Sequence, residues 1–376
     1  MVIYIILTYL SCSTGTDTAA NTPPDVAPPD EPGPWVVGHR ATVLDDVGEV
    51  GRSVPVDVWY PVTPGDEAGS ETTKYALLGE IGIVSPLAHE GPPGASGAAP
   101  LLIFSHGYNS INVQSSSLVE ALASHGFVVA APAHTGNTQD APDDDFETAA
   151  SRRVPDVAAV LDWFVSGAAP LADQVDTDTV GVLGHSFGGM TTLGAGAGWA
   201  GAPPIDGVDA LMPISAVVDA ELQQDDRPYP SAGFTEDALA SIAQPVLLLG
   251  GTKDLNVPVE NNALAYDWLT GAQQVIRADI IGANHTHFTN VCDIGALLLE
   301  YGIEMSVWPT VGAADLIAPY TDTCTGDALP IAEAIRLQNL LAVAFFRLHL
   351  SGEADYAWWL EPQAAERETA LTIWAR

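Results

Sequence analysis

From Pro100 onward the chain alternates short apolar runs with stretches of helical periodicity. The runs are PLLIFSH (100–106), FVVAAPA (127–133), TVGVLGHS (179–186), ALMPISAV (210–217), PVLLLGG (245–251) and QVIRADII (274–281). Cores such as LLIF and FVVAA are apolar at consecutive positions, the pattern of strands buried on both faces of a parallel sheet. Between them the sequence predicts helices near Val113–Ser124 and Ala149–Phe164, and a small-residue helix from about Gly189. A long amphipathic helix, about Ile331–His349, closes the chain, with Ile335, Leu337, Leu340, Leu341, Val343, Ala344 and Phe345 on a face that can cover a sheet.

Upstream the pattern differs. Trp35–Leu44 and Val54–Pro61 read as β-strands, and VPVDVWYP alternates like a half-buried strand, so the pair predicts an antiparallel N-terminal edge. Residues 63–99 are rich in Gly, Pro and Ala with weak periodicity and read as a loop-rich insertion. The expected fold class is therefore α/β: a mostly parallel sheet of about eight strands, with an antiparallel N-terminal edge and helices on both faces, crossovers right-handed. There is no internal repeat.

The first residues, MVIYIILTYL, form an apolar run too short to span a bilayer core, ending at Ser11-Cys12. A polar, Pro-rich tract follows. The expected organisation is an export signal over 1–11, a disordered linker over 12–34 and one domain over 35–376. A small residue before Cys resembles a lipoprotein cleavage site with Cys12 as acyl acceptor, although Tyr9 and the lack of a preceding Lys or Arg depart from that pattern. Either way the mature chain is expected outside the cytoplasm, secreted or held at a membrane by a lipid on Cys12. Cys292 and Cys324 are then expected to pair in an oxidising compartment.

Composition narrows the partners. With 47% hydrophobic and 16% charged residues the chain can bury a large core, as a disordered chain cannot. A formal net charge of −36, with Lys74 and Lys253 the only lysines, makes nucleic acid and anionic membrane surfaces poor partners on Coulombic grounds. Charge does not select the chemistry.

The motifs do. Gly184-His185-Ser186-Phe187-Gly188 is G-x-S-x-G between an apolar run and a small-residue helix. A serine nucleophile must stand exposed on a tight strand-to-helix turn, and glycines remove the Cβ atoms that would block that backbone. Ser105-His106-Gly107-Tyr108 follows the first parallel strand, where such folds supply an oxyanion donor, so the backbone N–H groups of Tyr108 and Phe187 are the candidates. The Tyr108 ring is placed either on a wall of the acyl pocket or in an exposed turn. The acid should follow a later strand, which favours Asp254 in Gly251-Thr252-Lys253-Asp254 over Asp219. The base should follow the last strand. Gly282-Ala283-Asn284-His285-Thr286-His287-Phe288 offers two histidines, and His285, close behind the Gly-Ala turn, is preferred to His287. His106 comes too early in the chain for a base and suits positioning of the oxyanion loop. A His-x-His pair could hold zinc, but no further ligand lies at suitable spacing; no metal or organic cofactor is called for. Asp143-Asp144-Asp145, with Asp140 and Glu147, lacks the glycine turn of an EF-hand and reads as a solvated acidic loop.

Together these segments resemble the dienelactone-hydrolase-like bacterial hydrolases of the α/β-hydrolase superfamily, and behind them its platelet-activating-factor acetylhydrolase and polyester hydrolase branches. The resemblance runs through VPVDVWYP, FSHGYNS, LASHGFVVAAPAHTGNT, RRVPDVAAVLDW, VGVLGHSFGGMTTL, PVLLLGGTKDLNVP, GANHTHF and AVAFFRLHLSG, most of the chain from Trp35. It implies a Ser186–Asp254–His285 triad, an oxyanion hole at Tyr108 and Phe187, and cleavage of a small-molecule or lipid carboxylic ester. His285-x-x-Phe288 looks like the acetylhydrolase pattern. In that branch the acid can follow the earlier strand, which keeps Asp219 open. True dienelactone hydrolases use a Cys nucleophile where this chain has Ser186, so that substrate is not implied. Residues 289–330 look like an insertion near the active-site mouth. Lipase, phospholipase and polyester hydrolase activities are the catalytic alternatives, with Trp308 and Phe288 as residues for an apolar cleft or, on the plainer reading, core. A non-catalytic surface-binding domain is the alternative of a different class.

Overall fold

A computed structural model describes residues 22–78, 81–222, 233–326 and 328–376. The expected export signal and Cys12 lie outside the described residues, whereas the described part of the expected disordered linker is fastened to the domain: Asp30 pairs with Arg336 at 2.9 Å, the Ala27 carbonyl accepts from the Tyr356 hydroxyl at 3.0 Å and the Gly33 N–H donates to Ser124 Oγ at 2.9 Å.

One sheet organises the chain. Its strands are β1 (Val36–Leu44), β2 (Val54–Val62), β3 (Thr72–Leu78), β4 (Ile81–Glu90), β5 (Ala99–Ser105), β6 (Val128–Pro132), β7 (Val175–His185), β8 (Ala210–Ile214), β9 (Val246–Gly251), β10 (Val275–Ile280) and β11 (Leu371–Ala375). They lie in the order β11-β10-β9-β8-β7-β5-β6-β2-β1-β4-β3. From β10 to β6 all neighbours are parallel, while β2 joins β6 and β1 joins β2 antiparallel.

Helices cover both faces because both faces of the parallel strands are apolar. Along β5, Leu101 and Ile103 enter one core while Leu102 and Phe104 enter the other, the two-residue alternation of a strand. The first core packs under α2 (Phe146–Val165), α3 (Phe187–Ala197), α4 (Glu236–Ala240) and α5 (Glu260–Trp268); the second packs under α1 (Ser116–Ser124) and α8 (Ile331–His349). Asp145 caps α2 by accepting from the Thr148 N–H.

The sheet has eleven strands, not about eight. Residues 63–99 are not a loop-rich insertion: they contain the β3–β4 hairpin, which attaches parallel to β1 through β4 and forms the true edge. The buried positions of β4 are Gly82, Ser85 and Ala88, so no apolar alternation marks the strand in the sequence. Nor does α8 close the chain. Two 3-10 turns and β11 follow it, and β11 pairs antiparallel with β10.

Residues 289–330 form a cap of α6 (Val291–Glu300), 3-10 turns at Met305–Val311 and Ala314–Leu316, and α7 (Ile317–Cys324). Its small core of Leu298, Trp308 and Ala313 is separate from the two main ones. A Cys292–Cys324 disulfide, with Cα atoms 5.6 Å apart, ties the first turn of α6 to the end of α7.

Candidate active site

Parallel strands deliver their C-terminal ends to one edge of the sheet, and four of them deliver the site: Ser105-His106-Gly107-Tyr108 after β5, Ser186 after β7, Asp254 after β9 and His285 after β10. Ser186 has φ 59° and ψ −116°, a left-handed conformation that only tight packing imposes on a non-glycine residue. The flanking glycines show the packing. A Cβ on Gly184 would lie 2.4 Å from the Gly188 carbonyl oxygen, and one on Gly188 would lie 1.8 Å from that of Ser105.

His285 Nε2 is 2.9 Å from Ser186 Oγ, and its Nδ1 is 2.8 Å from Asp254 Oδ2. The other Asp254 oxygen accepts from the N–H groups of Asn256 and Val257 at 3.0 and 2.8 Å. Burial works against a charge on Asp254, but His285 and the Val257 N–H outweigh it and hold the carboxyl below its ordinary range. Its acceptor oxygen fixes the proton of His285 on Nδ1 and leaves Nε2 free to accept from the serine hydroxyl.

The competing candidates are engaged elsewhere. Both nitrogens of buried His287 serve structure: Nδ1 accepts from the Asn284 N–H at 2.9 Å, and Nε2 faces the Leu329 carbonyl at 2.8 Å. Asp219 accepts from the Glu221 N–H in its own turn. His106 is fully buried with Nδ1 on the Gly107 carbonyl, and burial and the nearby Arg153 push its pKa far down. Trp308 and Phe288 are core residues, not cleft walls. In the acidic loop, Asp144 pairs with Arg152 and Asp145 caps α2.

Phe187 is the first residue of α3, so its N–H has no helical carbonyl behind it and is available at the positive end of the helix. The Tyr108 ring packs edge-on against Phe187, at 5.2 Å between centroids, and beside Phe146. Both residues line a cleft of about 580 Å³ with Ser186 and His285, and the cap adds Val291, Ile294, Leu316 and Pro319 to its walls.

Two supports were not read from the sequence. Gln114 Oε1 accepts from the Gly107 N–H at 2.9 Å, its amide reaches His185 Nδ1 at 3.1 Å, and His185 Nε2 meets the His285 carbonyl at 2.8 Å. Burial and neighbouring His285 lower His185 to about 3, so it bridges the oxyanion loop and the base loop as a neutral ring. The second support lies beneath the oxyanion loop. Asp156 pairs through both oxygens with Arg52, at 2.6 and 3.0 Å, and accepts from His134 Nδ1 at 2.9 Å; His134 Nε2 takes the Ser105 hydroxyl at 2.9 Å. Arg153 lies fully buried beside them, its pKa lowered by burial to about 9 and so still cationic at neutral pH. Both residues were visible as charges on the apolar face of α2, which otherwise carries Ala149, Ala150, Val154, Val157, Val160, Leu161 and Phe164.

The cap is bolted to the base loop. Thr323 of α7 meets Thr286 Oγ1 at 2.6 Å and Asn284 Oδ1 at 3.0 Å, while Asn290 donates its N–H to the Gln114 carbonyl at 2.7 Å.

A serine on such a turn, at the carboxyl edge of a mostly parallel sheet between two helix layers, defines the α/β-hydrolase fold. A family model described as Chlorophyllase matches residues 86–252, from within β4 to just past β9. That family consists of α/β-hydrolase esterases, so the chain's similarity lies among ester hydrolases. The match includes Ser105–Tyr108 and Ser186 and stops two residues short of Asp254. No curated protein matches the chain.

Proposed function

We propose that this chain hydrolyses carboxylic esters through an acyl-enzyme on Ser186. The observation that carries the reading is the continuous hydrogen-bond line Ser186–His285–Asp254 at the floor of an open cleft, with distances of 2.9 and 2.8 Å. In this mechanism His285 Nε2 takes the hydroxyl proton as Ser186 Oγ attacks the ester carbonyl. The N–H groups of Tyr108 and Phe187 receive the negative oxygen, and each such donor is worth about 3 kcal/mol of barrier. His285 then protonates the departing alkoxide. A water molecule repeats the sequence on the acyl-enzyme, and Asp254 stabilises the imidazolium in both halves without taking its proton.

Nitrophenyl esters from acetate to palmitate, tested on wild type, Ser186→Ala and His285→Ala, decide the reading. Turnover by wild type with losses of about 10⁴-fold or more in both variants supports it. A folded wild type that hydrolyses none of the series and is not labelled at Ser186 by a fluorophosphonate refutes it in favour of a binding domain. The chain length at which turnover peaks separates a short-ester enzyme from a lipase, phospholipase or polyester hydrolase.

We also propose that the protein works outside the cytoplasm. The Cys292–Cys324 disulfide supports this, because such bonds persist in oxidising compartments. A lipid anchor on Cys12 is tested by Cys12→Ala, which should move the protein from the membrane fraction to the soluble one.

A further inference from the structure

Arg153 is 0% exposed, yet its hydrogen bonds go to neutral oxygens: the His106 and Gly107 carbonyls, Ser105 Oγ and Asn137 Oδ1. The nearest acid on its helix, Asp156, is occupied by Arg52 and His134. A buried cation without a carboxylate of its own is costly, and a core position on α2 would be filled more cheaply by an apolar side chain. Its placement explains the cost.

The Gly107 carbonyl accepts from Arg153 Nη2 at 3.0 Å and from His106 Nδ1 at 2.8 Å. In a trans peptide the carbonyl and the following N–H point in opposite directions, and no peptide bond among the described residues is cis. With its carbonyl held toward the guanidinium, the Gly107–Tyr108 peptide turns the Tyr108 N–H the other way, toward the cleft that Gly107, Tyr108 and Ser186 line. The loop lies against the nucleophile, since a Cβ on Gly107 would be 3.7 Å from Ser186 Cβ. A cation at the carbonyl end also draws electron density through the peptide and leaves its N–H more positive. The same guanidinium lies over the Phe187 ring at 4.8 Å, beside the second donor residue.

We infer that Arg153 is a positioning residue for the oxyanion hole, fixing the Gly107–Tyr108 peptide with its N–H toward the reacting carbonyl oxygen and polarising it. The inference rests on the esterase reading above. It assigns to α2, which contributes no group to the triad, part of the stabilisation of the tetrahedral intermediate.

Three full-length variants test it. Arg153→Met removes the cation, Arg153→Lys keeps the charge but cannot hold both carbonyls as a fork, and Asn137→Asp gives the guanidinium a carboxylate partner. The expected result is a fall in kcat at nearly unchanged KM, about 10²-fold or more for Arg153→Met and smaller for Arg153→Lys. Affinity for a trifluoromethyl ketone, whose adduct with Ser186 puts an oxyanion in the hole, should fall in parallel with kcat/KM. Asn137→Asp should lose kcat several-fold at an unchanged or higher Tm, which a purely structural role for Arg153 would not produce. This last variant keeps the test open if both Arg153 variants fail to fold. Wild-type kcat and ketone affinity in the folded variants would overturn the inference while leaving the esterase reading intact. A wild type inactive on all esters and unlabelled at Ser186 would overturn both.

Discussion

Acid should weaken this protein well above the range in which carboxylates titrate, and His134 is the group on which to measure it. The imidazole is 1% exposed, with Nδ1 donating to Asp156 and Nε2 accepting from Ser105. A proton on Nε2 would face the Ser105 hydroxyl in a desolvated site that already holds Arg153. Burial first, then the Arg153 charge, lowers the folded pKa from 6.5 to about 4 despite the pull of Asp156. Between these values the unfolded chain binds a proton that the folded chain refuses. The contribution is therefore fully present above 6.5 and is lost as pH falls toward 4. At about 1.4 kcal/mol per pH unit, the shift amounts to about 3 kcal/mol. Asp156 and Asp254, whose carboxyls are held below their ordinary 3.8, lose their contributions only at lower pH. His185, lowered to about 3, and the lowered His106, His125, His287 and His349 steepen the wild-type slope, while the raised His39, Glu120, Asp279 and Asp293 work against it, so the comparison with His134→Gln isolates one proton. Between about pH 6.5 and about pH 4 the urea-derived stability of the wild type should fall about 1.4 kcal/mol per pH unit more steeply than that of the variant, with no such difference above 6.5. Equal slopes in the two proteins would refute the argument.

Other perturbations have directions set by the same geometry. Asp254→Asn should leave the fold intact and lower kcat by about 10⁴-fold, because an amide at that position no longer selects the Nδ1–H form of His285. Gly188→Ala should give little folded protein, since its new methyl carbon would fall 1.8 Å from the Ser105 oxygen; soluble yield and circular dichroism report it. Opening the disulfide by Cys292→Ser should lower stability by about 4 kcal/mol in the chain-entropy model for a closed loop of this length, read from urea midpoints. Glu120 is buried with one oxygen accepting from Tyr75 and Ser85, and burial raises its pKa. Its contribution is full below the ordinary 4.5 and is lost as pH rises through the raised value, so Glu120→Gln should increase the urea midpoint at neutral pH.

The elements most legible in the sequence were those buried on both faces. β5 through β10 announced themselves as apolar runs, and α8 was bounded at Ile331 and His349 as the structure has it. The β3–β4 hairpin was not legible, because an edge strand whose inward positions are glycine, serine and alanine lacks the hydrophobic contrast on which period-two reading depends. β11 was missed because five residues after two irregular turns carry too little pattern, although Leu371 and Ile373 do face the core. That Ser186, Asp254 and His285 meet was readable because each follows the end of a different parallel strand. Gln114 and His185, by contrast, act through contacts between loops distant in sequence, and nothing in local spacing records such a contact. Arg153 did leave a trace, a charge at an apolar helix position, which the resemblance of RRVPDVAAVLDW marked without giving it a role.

The attachment of the cap to the His285 turn limits how this protein can diversify. Because Thr323 holds both Thr286 and Asn284, the segment that lines the cleft through Leu316 and Pro319 shares hydrogen bonds with the turn that carries His285. Changes in Ile294 or Leu316 can retune the cleft without touching that joint. Replacement of the whole segment cannot, so lineages that exchange caps should carry compensating changes at 284 and 286, and grafted caps that ignore them should bind new esters yet turn them over slowly.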